Sequence, residues 1–110
     1  MSMVVFRTYL RQENVEEYYR TTKKLQEIAV SVPGFIAFKN FVAADGEEIT
    51  IVEFESEETL KAWRDHPAHL AARKINDRFF TDYRITTFGE PLRDYGVKNN
   101  KPFGEVIPRD

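Results

Sequence analysis

Two apolar runs rich in β-branched and aromatic residues, FIAFKNFV from Phe35 to Val42 and EITIVEF from Glu48 to Phe54, flank Ala44-Asp45-Gly46-Glu47. The Asp-Gly pair supplies the positive φ that a tight hairpin demands, so the middle of the chain reads as two antiparallel strands. Both strands are apolar on both faces. Phe35, Ala37 and Phe41 alternate with Ile36, Phe38 and Val42, and Ile49 and Ile51 alternate with Val52 and Phe54. Any fold built on this hairpin must cover the sheet twice.

The rest of the chain supplies one cover. Met3 to Leu10 alternates as a strand, with Val4, Phe6, Thr8 and Leu10 on one side. From Asn14 to about Ser31 the apolar positions fall on a helical stripe, Glu16 and Glu17 suit its first turn, and Pro33-Gly34 stops it. Ser56 is placed to cap a second helix carrying Leu60 and Trp63, which His66-Pro67 interrupts. Pro67 can open a renewed helix with Ala68, Ala71, Ala72, Ile75 and Phe79 on its stripe, and Thr81 to Phe88 returns to β. The order β-α-β-β-α-β predicts an α+β, ferredoxin-like arrangement: a four-stranded antiparallel sheet with two helices on one face. At 110 residues the chain holds one domain, residues 1–95, and 96–110 reads as an arm or tail with Gly96, Asn99-Asn100, Pro102 and Pro108.

Charge and composition remove several classes of function. Sixteen Lys and Arg face eighteen Asp and Glu with no block of like charge, so the footprint of a nucleic-acid binder is missing. The absence of Cys excludes disulfides, thiolate metal sites and Cys nucleophiles, and agrees with a reducing compartment. The opening MSMVVFRTYLR has too short an apolar run for a signal peptide or a membrane span, so a cytoplasmic protein is expected.

Helices on one face leave the other face of the sheet bare, at a cost of roughly 25 cal/mol per Å² of apolar area left in water. A second copy of the same sheet is the simplest cover, and a homodimer is expected, with an enclosed chamber in the pair. The alternative is that the tail from Phe103 to Ile107 folds back over its own sheet.

The run from Val32 to Ile85 resembles the antibiotic biosynthesis monooxygenase domain superfamily of dimeric α+β barrels. The resemblance rests on Pro33-Gly34-Phe35, on Glu53-Phe54-Glu55-Ser56, and on Trp63-Arg64-Asp65-His66-Pro67-Ala68-His69, within a match from Met3 to Tyr95. It implies several activities: cofactor-free oxygenation of aromatic ketide or quinol-like molecules, oxidative haem degradation, and roles not known. Of the features that the resemblance implies for haem degradation, Trp63 is present. The position of the proximal histidine holds Arg73 and the first strand has no Asn, so His69 is left as a shifted iron ligand.

Candidate site residues follow from these two readings. His66 and His69 lack a third metal ligand beyond Asp65, and His66 suits a cap before Pro67, so no metal is expected. His69 is either a half-buried packing residue or a proton acceptor tuned near neutrality. Glu53 shares its face with Ile49 and Ile51; if that face lines the barrel, its carboxylate is a second candidate base, with Arg7, Arg84 or Arg73 as partner. Trp63 is core or the wall of a dry aromatic pocket, and Tyr83 and Arg73 are candidate substrate contacts. The expected function is a monooxygenase without cofactor, acting on a small aromatic or quinol-like molecule and dioxygen. A non-catalytic dimeric ligand binder and a haem-binding or haem-degrading protein are the alternatives.

Overall fold

In the computed structural model, which describes residues 1–74 and 76–104, strand β1 (Ser2–Leu10) leads through a 3-10 turn to α1 (Val15–Ser31). The hairpin β2 (Phe35–Val42) and β3 (Glu48–Phe54) follows, then α2 (Glu57–Arg64), α3 (Pro67–Arg73), α4 (Asn76–Phe79) and β4 (Phe80–Phe88). A second hairpin, β5 (Tyr95–Lys98) and β6 (Lys101–Gly104), ends the described chain. The four longer strands form one antiparallel sheet in the order β2-β3-β1-β4, the α+β, ferredoxin-like arrangement that the pattern predicts. Ile75 of the expected stripe, and the end of the Phe103 to Ile107 segment, lie outside the described residues. Among the described residues no helix is long and apolar enough to cross a membrane.

Alternation along the two central strands decides which residues meet the helices. Val4 and Thr8 of β1, with Glu48, Thr50, Val52 and Phe54 of β3, are buried on the helix side. Met3, Val5, Ile49, Ile51 and Glu53 point to the bare side and are only half-buried. On β2 a bulge between Phe35 and Ala37 breaks the simple parity. One extra residue at Ile36 lets Phe35 stand opposite Phe54 and Phe38 opposite Val52, so both pack into the helix-side core. Plain alternation would place Phe35 and Phe38 on opposite faces; the bulge brings them to the same one.

Helix starts and stops follow local chemistry. The Ser56 side chain accepts from the Thr59 backbone N–H at 3.2 Å, and Thr59 Oγ1 accepts from the Ser56 N–H at 3.2 Å, a reciprocal cap that opens α2. Leu60 and Trp63, three apart, are then buried on one face. Pro67 breaks that helix and starts α3, where His66 Nδ1 accepts from the Ala68 N–H at 3.1 Å. His66 is thus the cap expected of it.

The C-terminal segment is more ordered than a tail. Asn99 and Asn100 both have positive φ, 52° and 63°, which closes β5 on β6 in a primed two-residue turn. The hairpin stands away from the body: Leu92 is fully exposed, and Tyr95, Val97 and Phe103 are about half-exposed or more. The radius of gyration, 16.0 Å, exceeds the ~13 Å of a compact 100-residue domain for that reason.

Gly34 and Gly46 both hold φ near +92° (+93° and +92°), but their surroundings differ. A Cβ at Gly34 would lie 2.7 Å from Thr59 Cγ2, and Thr59 cannot turn aside without giving up its cap on Ser56. A Cβ at Gly46 would meet nothing within 4 Å. Gly46→Ala is therefore expected to cost only backbone strain of about 1 kcal/mol, and Gly34→Ala about 2–4 kcal/mol. Urea unfolding of the two variants checks the order.

Candidate active site

Buried apolar side chains under the helices form two clusters rather than one. Val4, Ala29, Val52, Phe54, Leu60 and Trp63 make the first, joined by Leu25, Ile28, Val32, Phe35 and Phe38. Tyr18, Phe79 and Phe80 make the second, with Phe6 and Leu10 against it. A cavity of about 290 Å³ opens between them, inside a single chain and on the helix side of the sheet. This differs from the chamber expected on the bare side. Its volume sits at the small end of the roughly 300–1,000 Å³ typical of ligand pockets.

Both clusters contribute walls. Val4, Leu25, Phe38, Val52 and Trp63 come from one and Phe6, Tyr18, Phe79 and Phe80 from the other. Trp63 is fixed by its Nε1–H, which donates to the Leu25 carbonyl at 3.0 Å and so ties α2 to α1. The polar lining is Thr21, Thr22, Thr50, Thr87 and Asn76, with Arg64, His69 and Arg73 at the α2–α3 end. No carboxylate among the described residues lines the cavity.

His69 packs against Trp63 with ring centroids 4.5 Å apart and an interplanar angle of 63°. Its Nδ1 is sealed from solvent and has no hydrogen-bond partner among the described residues. Burial, followed by the Arg73 charge, pushes the imidazole down from an ordinary 6.5 to about 4, against smaller opposite pulls from the Arg64 carbonyl and Asp65. The ring is neutral at physiological pH and more strongly depressed than the near-neutral value expected from sequence.

Three of the five sequence candidates, Trp63, His69 and Arg73, meet on this cavity. Tyr83 lies on the helix side of β4 but borders a neighbouring depression with Leu70 and Lys74, which shares Arg73, Asn76 and Ile85 with the cavity. Its ring meets Phe6 edge-on at 6.3 Å between centroids and Phe80 at a tilt at 5.9 Å. Glu53 stands apart, on the bare side, opposite Met3 and Ala37. Among the described residues it makes no ion pair with Arg7, Arg84 or Arg73; Arg7 pairs with Glu47 instead, at 3.1 Å.

The deeply buried glutamate of β3 is Glu48. It is on the helix side, accepting from Tyr19 at 2.6 Å on one oxygen and without a partner among the described residues on the other. That bond is the main reason the Tyr19 phenol is pushed up to about 12. Tyr18, Thr22, Arg64 and Asn76 were not singled out from sequence as site residues. A signal existed for one of them: Thr22 falls four residues after Tyr18 and three before Leu25, a polar group on an apolar stripe.

Comparison with known proteins bears on the whole of this arrangement. The sequence model of the antibiotic biosynthesis monooxygenase family matches residues 1–75. The chain is 31% identical over 65 residues to YqjZ of Bacillus subtilis, an uncharacterised protein; the match covers 59% of this chain and 57% of that relative's length. Rv0793 of Mycobacterium tuberculosis superposes with a TM-score of 0.73 at 19% identity, covering 84% of this chain and 96% of the other. SnoaB of Streptomyces nogalater, a cofactor-independent oxygenase, superposes with a TM-score of 0.68 at 13% identity, covering 84% and 97%. At those identities the superpositions show a shared fold.

The depressed imidazole predicts a pH effect on stability. A folded-state value near 4 against 6.5 in the unfolded chain means that the unfolded state binds more protons between those limits. The neutral ring's contribution is fully present above 6.5 and is lost as pH falls toward 4. The thermal midpoint of the wild type is expected to fall further than that of His69→Gln between about pH 7 and about pH 4.5. Parallel falls in the two proteins would show that the imidazole is not held neutral.

Proposed function

The chain belongs to the antibiotic biosynthesis monooxygenase family, and from that premise we propose that it oxygenates a small aromatic or quinol-like molecule with dioxygen and without a cofactor. The observation that carries this reading is the cavity itself: an apolar slot, inside one chain, in which a neutral imidazole lies against the only tryptophan. Such a slot suits a flat ligand and keeps water from a reactive anion.

Oxygenation without a redox group requires the substrate to supply every electron. For a methylene flanked by aromatic rings and an enolisable carbonyl, loss of one proton gives a carbanion that reduces dioxygen and joins it as a peroxide. Loss of the second C–H proton with cleavage of the O–O bond then leaves a new carbonyl and releases water. One oxygen atom enters the product, the other leaves in water, and the four electrons come from the methylene carbon.

In this scheme His69 accepts the first proton. Among the described residues His69 is the one imidazole on the cavity wall. An imidazole this weakly basic takes a proton only from an acid whose anion the site holds, and Arg64 and Arg73 are the cations at hand. Trp63 forms the wall that positions the rings. Glu53, on the other side of the sheet, has no part in the step. The haem alternative fits the residues poorly. The position for a proximal histidine holds Arg73, which does not ligate iron, and the one imidazole on the cavity is wedged against Trp63.

The bare side of the sheet supports a homodimer as part of the same reading. Met3, Val5, Ile49 and Ile51 adjoin half-exposed Phe41 and Phe88 there, an apolar surface that a second copy would cover. The exposed Tyr95, Val97 and Phe103 of the arm add apolar area for a partner. Sedimentation at micromolar concentration is expected to give twice the monomer mass, and Ile51→Glu to shift the balance toward single subunits.

Oxygen uptake with anthrone-like or quinol compounds tests the chemistry. Wild type is expected to consume dioxygen in proportion to substrate oxidised, and His69→Ala to lower kcat by about 100-fold or more. Equal rates remove His69 from the mechanism. A ligand that binds tightly with no uptake would favour the non-catalytic binder.

A further inference from the structure

The charge around the cavity is one-sided. Its apolar walls carry two guanidinium groups and no carboxylate among the described residues. Arg64 has a partner, Asp65, at 3.6 Å. Arg73 makes no ion pair among the described residues, although it reaches the cavity rim from the last turn of α3. A cation in a helix's last turn complements the helix dipole, but that role alone does not require it to line a cavity. Its charge is close enough to the imidazole to help keep His69 neutral, so no protonated histidine competes with it for an anion.

We infer that the cavity holds its ligand as an anion, a planar aromatic molecule bearing one carboxylate or ionised phenol, with the charged oxygen on Arg73 and the rings between the two apolar clusters. This deepens the proposed function, on which it rests, by naming the charge state of the substrate class. A guanidinium fork at the edge of a low-dielectric slot binds such an oxygen through charge-assisted hydrogen bonds, and the threonines and Asn76 offer neutral donors to the rest of the molecule. The adjoining depression, which shares Arg73 with the cavity, gives the charged group a way to solvent.

The test compares 2-naphthoate with its neutral isostere 2-naphthamide on the full chain. Calorimetry gives the affinities, and the indole N–H resonance of Trp63, the only tryptophan, reports whether the ligand enters the cavity. The naphthoate is expected to bind roughly tenfold or more tightly than the amide, to lose that preference in Arg73→Gln, and to regain part of it in Arg73→Lys. Arg73 is exposed, so these substitutions leave folding nearly unchanged. Equal binding of the two compounds, or a preference that survives Arg73→Gln, overturns the inference while leaving the oxygenase reading intact. A preference for the anion with no oxygen uptake from any phenol or enol overturns the oxygenase reading and keeps this one. No shift at Trp63 with either compound overturns this inference too, while the oxygenase reading stands or falls on oxygen uptake alone.

Discussion

The helix layer does not close over the sheet as one core, and the remaining features of the site follow from that. Trp63 and Leu60 draw α2 onto Val52 and Phe54 at one end, while Tyr18, Phe79 and Phe80 draw the start of α1 and the end of the helical segment together at the other. Pro67 prevents α2 from running on as one straight rod that could fill the space between. A well-packed interior has few voids larger than a water molecule, so a gap of about 290 Å³ is held open by its rigid walls. The indole bond to the Leu25 carbonyl is one such brace, because it fixes the distance between α1 and α2.

Within that gap the electrostatics are set by what was left out. A carboxylate beside His69 would raise its basicity and neutralise Arg73; Asp65 exerts only a minor pull. The buried carboxylate of the helix side, Glu48, is engaged with Tyr19 rather than exposed on the cavity wall. The result is a largely apolar, weakly basic, cation-edged slot. An anion held there would keep its charged oxygen at the rim on Arg73, where the pairing is less screened than in bulk water and the cost of desolvation is smaller than in the interior.

The elements were legible because their signals are local. Alternation marks β1, apolar β-rich runs mark β2 and β3, Ser56 and His66-Pro67 mark the helix starts, and Asp45-Gly46 marks the central turn. The fold followed from their order. Faces were less legible, since one bulge at Ile36 reverses the parity of Phe35 before it and leaves no mark where Phe35 to Phe38 are all apolar. The same limit affected the site. Trp63, His69 and Arg73 lie within one stretch of chain and could be grouped from sequence, whereas the choice between Glu48 and Glu53 depends on which side of β3 the helices lie. The arm was legible in part: Asn99-Asn100 is a hairpin signal, but strands of four residues with exposed Val97 and Phe103 are too short to show a clear alternation.

The two apolar surfaces of the sheet are bound to each other by register. The central strands β1 and β3 supply alternate residues to the cavity and to the bare side, Val4 beside Val5 and Val52 beside Ile51. A slip of one residue would carry Arg7 and Glu53 under the helices and turn Val4, Thr50 and Val52 outward. Burying those charges without partners would cost several kcal/mol each, far more than the exchange of one aliphatic face for another. Glu53 and Arg7 oppose that slip, while Glu48, buried on the helix side with one oxygen unpartnered among the described residues, would be freed by it, so the register rests on the balance of the three charges.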